Sequence, residues 1–228
     1  MRDMNYLIDV DRLANRFSIM RHAQSKANVD GVIVSRIEDD RRGDYGLSEP
    51  GRRQALAAAL TSGLPGNTVI CSSDFSRATQ TAEIVRAHLG APGVVLAEAL
   101  RERGFGDWDG SATENYARVW ADDEALSGDT AGHVEPVAAV LARTTEFIVD
   151  LERRYSGRDI LLVSHGDTLQ ILQAGFMRID PSRHRSLPPL EAAEIRPLRL
   201  SALPPALAGE RLFCQAQAKA HGRAPGRA

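Results

Sequence analysis

The sequence predicts an α/β fold, a three-layer α/β/α sandwich around a mostly parallel central sheet, and two observations lead to this prediction. Short apolar runs typical of strands alternate along the chain with segments of helical spacing. One run, residues 159–164 (DILLVS), has a continuous apolar core, as expected of a parallel strand buried on both faces. Because alternating strands and helices place helices on both faces of a parallel sheet, this order predicts the layered architecture.

The predicted strands are short runs of apolar and β-branched residues. Such residues suit a pleated surface that is at least half buried. In chain order the runs are residues 17–21 (FSIMR), 68–71 (TVIC), 93–96 and 159–164, followed by two weaker candidates at 193–200 and 211–214.

The predicted helices are segments in which apolar residues recur at helical spacing. Gly63 and Gly90 end the first two, and Pro136 lies in the first turn of the longest, where proline is tolerated. Residues 29–48 are polar and contain glycine, so we predict a loop there. The helices are predicted near residues 48–63, 75–89, 115–124, 134–155 and 167–176.

Length and composition predict a single domain with an ordinary core. The chain has 228 residues, of which we expect about 16–200 to form the core, with 1–15 and 217–228 peripheral. The formal net charge of −2 offers no general attraction to nucleic acid or to an anionic membrane, so neither is predicted as a partner. The sequence predicts no particular oligomeric state.

The two cysteines indicate a reducing compartment. Cys71 and Cys214 are too few for a disulfide framework and have no CxxC spacing. No segment has the apolar length of a secretory signal or of a membrane span. We therefore expect a cytoplasmic protein.

Two histidines and two arginines occur where predicted strands end. Arg21 and His22 follow the first strand, His165 follows the strand at 159–164, and Arg77 lies on the helix after the second strand. Ligands of parallel sheets bind at the carboxyl ends of the strands, so these side chains should converge. Arginine forks and free N–H groups at a helix start both suit a phosphate group.

Four segments resemble the motifs of a known family. They are residues 19–28 (IMRHAQSKAN), 72–84 (SSDFSRATQTAEI), 100–110 (LRERGFGDWDG) and 161–169 (LLVSHGDTL). In this order they resemble the arginine–histidine signature, the second arginine motif, the proton-donor segment and the second histidine segment of the histidine phosphatase superfamily, also called the phosphoglycerate mutase-like family. The resemblance covers roughly residues 16–200 and is closest to the phosphatase branch.

The resemblance implies a metal-independent phosphatase that acts on a small phosphorylated substrate and needs no cofactor. His22 would be the nucleophile that becomes phosphohistidine. Glu102 would donate a proton to the leaving oxygen and then take one from water. The residues that would bind or support the phosphoryl group are Arg21, Arg77, His165 and Asn28. His165 would also be a catalytic residue.

The chemistry agrees with these implied roles. A histidine nucleophile must be neutral, and nearby Arg21 and Arg77 disfavour the imidazolium form of His22. The arginines can also stabilise the charge of the phosphoryl group, a task that metal ions perform in kinases. The same arginines would repel a cation, which disfavours a metal site on His22 and His165.

Several carboxylates compete for the proton-donor role. Glu102 is preferred, with Asp107, Asp109 and Asp167 as alternatives. Asp167 is the main rival, because another branch of the superfamily has its acid just after the second histidine. Glu135 matches an acidic family position near the site, but it also suits the first turn of a helix, where the dipole favours a negative charge.

The sequence is also consistent with two alternative functions. The family signature has glycine where this chain has Ala23, and glycine permits close backbone approach and a positive φ. A weakly active phosphate-binding module is therefore one alternative, and a cofactor-dependent phosphoglycerate mutase is another. The compact segment 111–132 favours the phosphatase, because family mutases carry a long insertion there.

Residues outside the motifs are predicted to be structural. Trp108, Trp120 and Phe105 are expected in the core or in a lid over the site. The histidines without a motif, also expected to be structural, are His88, His133, His184 and His221.

Overall fold

A computed structural model describes residues 5–43, 45–125 and 132–202 of the chain. Its centre is a five-stranded sheet with the strand order β3-β2-β4-β1-β5. The strands are β1 (Arg16–Arg21), β2 (Val69–Ser72), β3 (Val94–Leu96), β4 (Asp159–Ser164) and β5 (Ile195–Pro197).

The sheet is parallel except at one edge. β1 pairs with β4 in parallel register from Arg16 opposite Asp159 to Arg21 opposite Ser164. β2 is parallel to both β4 and β3, whereas β5 runs antiparallel to β1. The predicted mostly parallel sheet is confirmed, and β4 occupies its centre because its apolar residues are buried on both faces.

Helices and short 3-10 turns connect the strands. The 3-10 turns are Glu98–Leu100, Gly106–Trp108, Thr113–Asn115 and Pro181–Ser186. The helices are α1 (Lys26–Asp30), α2 (Ile37–Gly43), α3 (Glu49–Thr61), α4 (Ser76–Leu89), α5 (Tyr116–Glu124), α6 (Val137–Arg154) and α7 (Gly166–Met177).

One face of the sheet packs against α6 and α7. Ile19 of β1 and Leu162 of β4 are fully buried in an apolar cluster with Ile148 of α6 and Phe176 of α7. Leu7, before β1, belongs to the same cluster, which attaches the segment preceding the sheet to the core.

The other face packs against α3 and α4. Because successive side chains of a strand point to opposite faces, Met20 and Val163 lie in a second cluster. Their partners include Ala55 of α3 and Ala82 of α4, whose small side chains let the helices approach the sheet closely. Helices on both faces confirm the predicted three-layer sandwich.

The predicted loop at 29–48 is wrong, because it contains α2 and the end of α1. The run 36–42 (RIEDDRR) lacks apolar periodicity, which is why it looked like a loop. Its helix is stabilised by charge order instead, with acidic residues in the first turn and Arg41 and Arg42 in the last. The candidate strand at 193–200 shortens to β5, and the candidate at 211–214 lies outside the described residues.

None of the helices within the described ranges is long and apolar enough to cross a membrane.

Candidate active site

The carboxyl ends of β1 and β4 bring the two motif histidines together. Arg21 and Ser164 are register partners at the ends of these strands, so the next residues, His22 and His165, lie side by side. Their ring centroids are 5.2 Å apart and the rings meet edge to face. The His22 N–H donates to the Ser164 carbonyl oxygen at 2.9 Å, which continues the pairing beyond the strands.

The His22 ring is held in one tautomer. Its Nδ1 lies 2.8 Å from the Ala23 carbonyl oxygen. Because a carbonyl only accepts hydrogen bonds, Nδ1 carries the proton and Nε2 keeps its lone pair. Burial, followed by the charges of Arg77 and Arg21, lowers the pKa of His22 well below its usual 6.5. The neutral form of the imidazole is thereby favoured, with the electron pair on Nε2.

Arg77 lies against that electron pair. Its Nε donates to His22 Nε2 at 3.2 Å, and its NH2 donates to the Val34 carbonyl oxygen at 2.9 Å. The guanidinium is almost completely buried and lies 3.4 Å from the Asp40 carboxylate. Arg77 is thus fixed beside the ring nitrogen from three directions.

Asp40 is a site residue that the sequence interpretation missed. It is buried, and its carboxylate accepts from both the N–H and the hydroxyl of Ser76, the first residue of α4. It therefore orients the start of α4 as well as Arg77. The sequence signal was the acidic pair in the run 36–42, but local pattern does not distinguish buried Asp40 from its half-buried neighbour Asp39.

His165 is fully buried at the start of α7. Its Nε2 lies 2.8 Å from Ser73 Oγ, while its Nδ1 has no hydrogen-bond partner in the described part of the chain. Burial and the charge of Arg77 lower the pKa of His165 well below its usual 6.5. A buried ring nitrogen without a partner is costly unless a ligand bonds to it.

Arg21 lies across the first turn of α7. Its NH1 donates to the Leu190 carbonyl oxygen at 2.9 Å, whereas its buried Nε has no partner among the residues described. A side chain at Gly166 would approach Arg21 Nε to 3.5 Å, so this glycine keeps the space beside the guanidinium clear. Arg21 Nε, like His165 Nδ1, is available to a ligand.

Ala23 fits the site without strain. It does not have a positive φ, unlike His133, Arg178 and Ala193. It is fully buried in the apolar cluster under α3 and α4, and its N–H donates to Thr81 Oγ1 at 3.1 Å. The methyl group that replaces the family glycine is therefore accommodated by the core.

The side chain of Asn28 caps the start of α1, and its role near the phosphate stays a prediction. Its side-chain oxygen accepts from the N–H and hydroxyl of Ser25, forming the capping box that begins α1. The residue is exposed, and its bonding capacity serves the helix start.

Glu102 lies in the loop after β3 and is 9% exposed. Its Oε1 accepts from the N–H groups of Arg103 at 2.9 Å and Thr168 at 3.3 Å. Burial, followed by the negative charge of Asp167, raises the pKa of Glu102 above its usual 4.5, although Arg77 and the two N–H groups oppose the shift. The protonated carboxyl is thereby favoured.

The pKa of Asp167 is shifted in the opposite direction from that of Glu102. It accepts from Trp120 Nε1 at 3.0 Å, His184 Nε2 at 3.1 Å and Arg103 NH1 at 3.2 Å. Burial alone would raise the pKa of Asp167, but His184 and Arg103 outweigh it and hold the pKa below its usual 3.8. The charged form of Asp167 is therefore favoured, and its oxygens already accept three hydrogen bonds.

The other acidic candidates have structural partners. Asp109 accepts from the N–H and hydroxyl of Ser35, and exposed Asp107 lies 3.1 Å from His133. Glu135 forms a two-point ion pair with Arg143, at 2.8 and 3.0 Å, and accepts from the Gly104 N–H. Glu135 precedes α6 and is not in its first turn, so the interpretation as a first-turn glutamate is wrong, and the residue supports the segment that contains Glu102.

The described ranges contain no group of three or more His, Cys, Asp or Glu side chains placed to hold a metal ion.

Comparison with known proteins identifies the family. The model of the histidine phosphatase superfamily (branch 1) matches residues 17–203. A glucosyl-3-phosphoglycerate phosphatase of Mycobacterium tuberculosis is 30% identical over 180 residues, which cover 73% of this chain and 77% of that protein. A metal-independent phosphoserine phosphatase of Arabidopsis thaliana is 25% identical over 181 residues, covering 75% and 71%.

Further relatives include a mutase and a solved structure. A 2,3-bisphosphoglycerate-dependent phosphoglycerate mutase of Xanthobacter autotrophicus is 27% identical over 172 residues, covering 72% of this chain and 81% of the mutase. The structure of mycobacterial glucosyl-3-phosphoglycerate phosphatase superposes with a TM-score of 0.66 at 29% identity, covering 80% of this chain and 88% of that one. The family predicted from the four motifs is confirmed: the chain belongs to branch 1 of the histidine phosphatase superfamily.

Proposed function

We propose that the protein is a metal-independent phosphomonoester phosphatase in which His22 Nε2 is the nucleophile. The observation that carries this proposal is the hydrogen bond from His22 Nδ1 to the Ala23 carbonyl oxygen, which leaves the electron pair on Nε2. Burial and two arginines keep the ring neutral. Relatives named as phosphatases support the same activity.

In the first step, His22 Nε2 attacks the phosphorus atom and the bond to the leaving oxygen breaks. That oxygen takes the proton of Glu102, whose raised pKa favours the protonated form. Arg77 Nε transfers its hydrogen bond from His22 Nε2 to a phosphoryl oxygen, which releases the electron pair for the attack. Arg21 and His165 also donate to the phosphoryl oxygens, and the three side chains stabilise their charge. The free donor positions on Arg21 and His165 support this arrangement.

In the second step, water attacks the phosphorus atom of phosphohistidine. The Glu102 carboxylate takes a proton from that water as the N–P bond breaks. The electron pair returns to His22 Nε2, and Glu102 is protonated again. The proton stays on His22 Nδ1, hydrogen-bonded to the Ala23 carbonyl oxygen, throughout, so the cycle restores the starting tautomer.

Hydrolysis is favoured over transfer between two hydroxyl groups. A mutase must keep its phosphohistidine from water, and segment 111–132 is too short for the insertion that family mutases carry there. The position of Ala23 in the core supports an active site rather than a weakened one.

The test measures inorganic phosphate released from 3-phosphoglycerate, O-phosphoserine and glycerol 3-phosphate in the presence of EDTA. Activity should persist with EDTA and be inhibited by vanadate, and labelled substrate should trap an acid-labile, base-stable phosphoenzyme. His22→Ala should abolish both phosphate release and label, while His88→Ala, at an exposed histidine of α4, should retain them.

Two outcomes would contradict the proposal. Label recovered on serine or cysteine would exclude the histidine mechanism. Conversion of 3- to 2-phosphoglycerate much faster than phosphate release, with catalytic 2,3-bisphosphoglycerate present, would identify a mutase instead.

A further inference from the structure

Arg185 is a cation that the mechanism above does not use. It lies in the 3-10 turn Pro181–Ser186, and its guanidinium carbon is 3.6 Å from the centre of the Trp120 ring. Its NH1 also bonds to the side-chain oxygen of Gln170. Stacking and this bond hold the guanidinium flat and in one orientation.

One edge of the Arg185 guanidinium has no hydrogen-bond partner among the described residues. Its side chain is 33% exposed, and within the described part of the chain no hydrogen bond is made by its Nε or its NH2. Two adjacent N–H donors on one edge of a guanidinium match the two oxygens of a carboxylate. Because the side chain is already immobilised, binding there costs little further ordering.

Arg185 lies at the same end of α7 as the proposed phosphoryl site. Its NH1 is 4.0 Å from Asp167, two residues after His165. A Cβ added to Gly166, which lies between them in the sequence, would be 3.5 Å from Arg21 Nε. Burial lowers the pKa of Arg185, and the charge of Arg21 adds to this effect, so the two cations repel each other.

Asp167 has enough other partners that its negative charge does not need Arg185 as a counter-ion. Asp167 already accepts from Arg103, His184 and Trp120 at 3.0–3.2 Å, whereas Arg185 NH1 is too distant for a hydrogen bond. The repulsion between Arg185 and Arg21 is unfavourable by itself. An anion between the two guanidinium groups would attract both and offset this repulsion.

We propose that Arg185, stacked on Trp120, binds a carboxylate of the substrate whose phosphoryl group is held at Arg21. The substrates are accordingly small phosphomonoesters that carry a carboxylate. This inference rests on the proposed function for the place of the phosphoryl group.

The test compares the binding of phosphonates, which the protein cannot hydrolyse. 2-Carboxyethylphosphonate and 3-carboxypropylphosphonate are each matched with the alkyl analogue that has methyl in place of carboxylate, propylphosphonate and butylphosphonate. Calorimetry is run on the wild type, Arg185→Gln and Arg183→Gln. Arg183 is an exposed arginine of the same 3-10 turn and serves as the charge-matched control.

The wild type and Arg183→Gln should bind at least one carboxylate ligand about tenfold more tightly than its alkyl match, as expected for a charged hydrogen-bonded pair. Arg185→Gln should lose that preference and bind the alkyl phosphonates within about twofold of wild type.

Three results would overturn the inference: no preference in the wild type at either chain length, a preference kept by Arg185→Gln, or an equal loss of both ligand types in that variant. Failure of the proposed function would be seen in a different experiment, as the absence of phosphate release from any phosphomonoester. The two failures are distinguishable because phosphonate binding does not depend on turnover.

Discussion

The loop after β3 and the first turn of α7 each bury one carboxylic acid beside the site, and the two acids differ in character. Glu102 in the loop has a raised pKa, whereas Asp167 in the helix has a lowered one. Both are 9% exposed or less, so the extent of burial does not explain the difference. The groups that face each carboxylate explain it.

The partners of the two acids differ in charge. Asp167 is hydrogen-bonded to the guanidinium of Arg103, which is itself anchored by Asp123 at 2.6 Å. Glu102 receives bonds from uncharged groups of Arg103 and Thr168, and it is repelled by Asp167. A hydrogen-bonded cation lowers the pKa of a buried acid, whereas burial and a neighbouring negative charge raise it.

The largest expected effect tests which acid donates the proton. Glu102→Gln should lower kcat for an alkyl phosphate about 10²–10⁴-fold, the usual contribution of general acid catalysis. The loss of phosphorylation rate should be much smaller for p-nitrophenyl phosphate, because that leaving group needs little protonation. Rapid-quench assays of both substrates measure this. If Asp167→Asn shows the leaving-group dependence and Glu102→Gln does not, the two roles are exchanged.

The second prediction concerns stability. Asp167→Asn should lower the free energy of unfolding by about 3 kcal/mol at pH 7, because Arg103 loses a buried partner. Since its folded pKa is depressed, Asp167 contributes this stability above its unfolded pKa near 3.8 and loses it as pH falls through the lower folded value. Urea unfolding across this pH range measures the difference.

The control for that prediction is Glu102→Gln. Glutamine keeps a side-chain oxygen that accepts the same N–H groups, so its cost should be below about 1 kcal/mol. Equal destabilisation by the two variants would contradict the assignment of Asp167 to structure.

The third prediction is a shift in pH dependence. The acid form of Glu102 is lost as pH rises through its folded pKa, so kcat/KM should fall on the alkaline side at a pH above 4.5. Asp167→Asn should move this limb to lower pH, because the charge of Asp167 helps to raise the pKa of Glu102. Glu102→Gln should remove the limb. A limb unchanged by both variants would show that another group titrates.

The smallest expected effect is that of Trp120→Phe. The variant keeps an aromatic ring to stack on Tyr116 but removes the indole N–H that donates to Asp167. The free energy of unfolding should fall by about 1 kcal/mol at pH 7. The loss should be absent in an Asp167→Ala background, which has no side-chain acceptor, and a double-mutant cycle measures this. Additive losses would show that the N–H–carboxylate bond does not carry the effect.

Much of the fold could be predicted because its signals are local. The apolar core of β4 predicted a buried parallel strand, and Gly90 ends α4 in the left-handed conformation that glycine readily adopts. α2 was missed, because its stabilisation comes from charge order and from Asp40 contacting Ser76, 36 residues away.

By itself, the sequence determined the family, the layered architecture and the strand ends at which Arg21, His22 and His165 converge. These follow from short-range patterns and from the rule that parallel strands end at one edge.

The tertiary structure decided which acid has the raised pKa, where the Ala23 methyl group lies and where Arg185 is held. The physical reason is that a pKa or an orientation depends on groups within a few ångströms, and here those groups come from distant parts of the chain. Arg103 reaches Asp167 across 64 residues and Arg185 reaches Trp120 across a similar separation, so no local pattern reveals either contact.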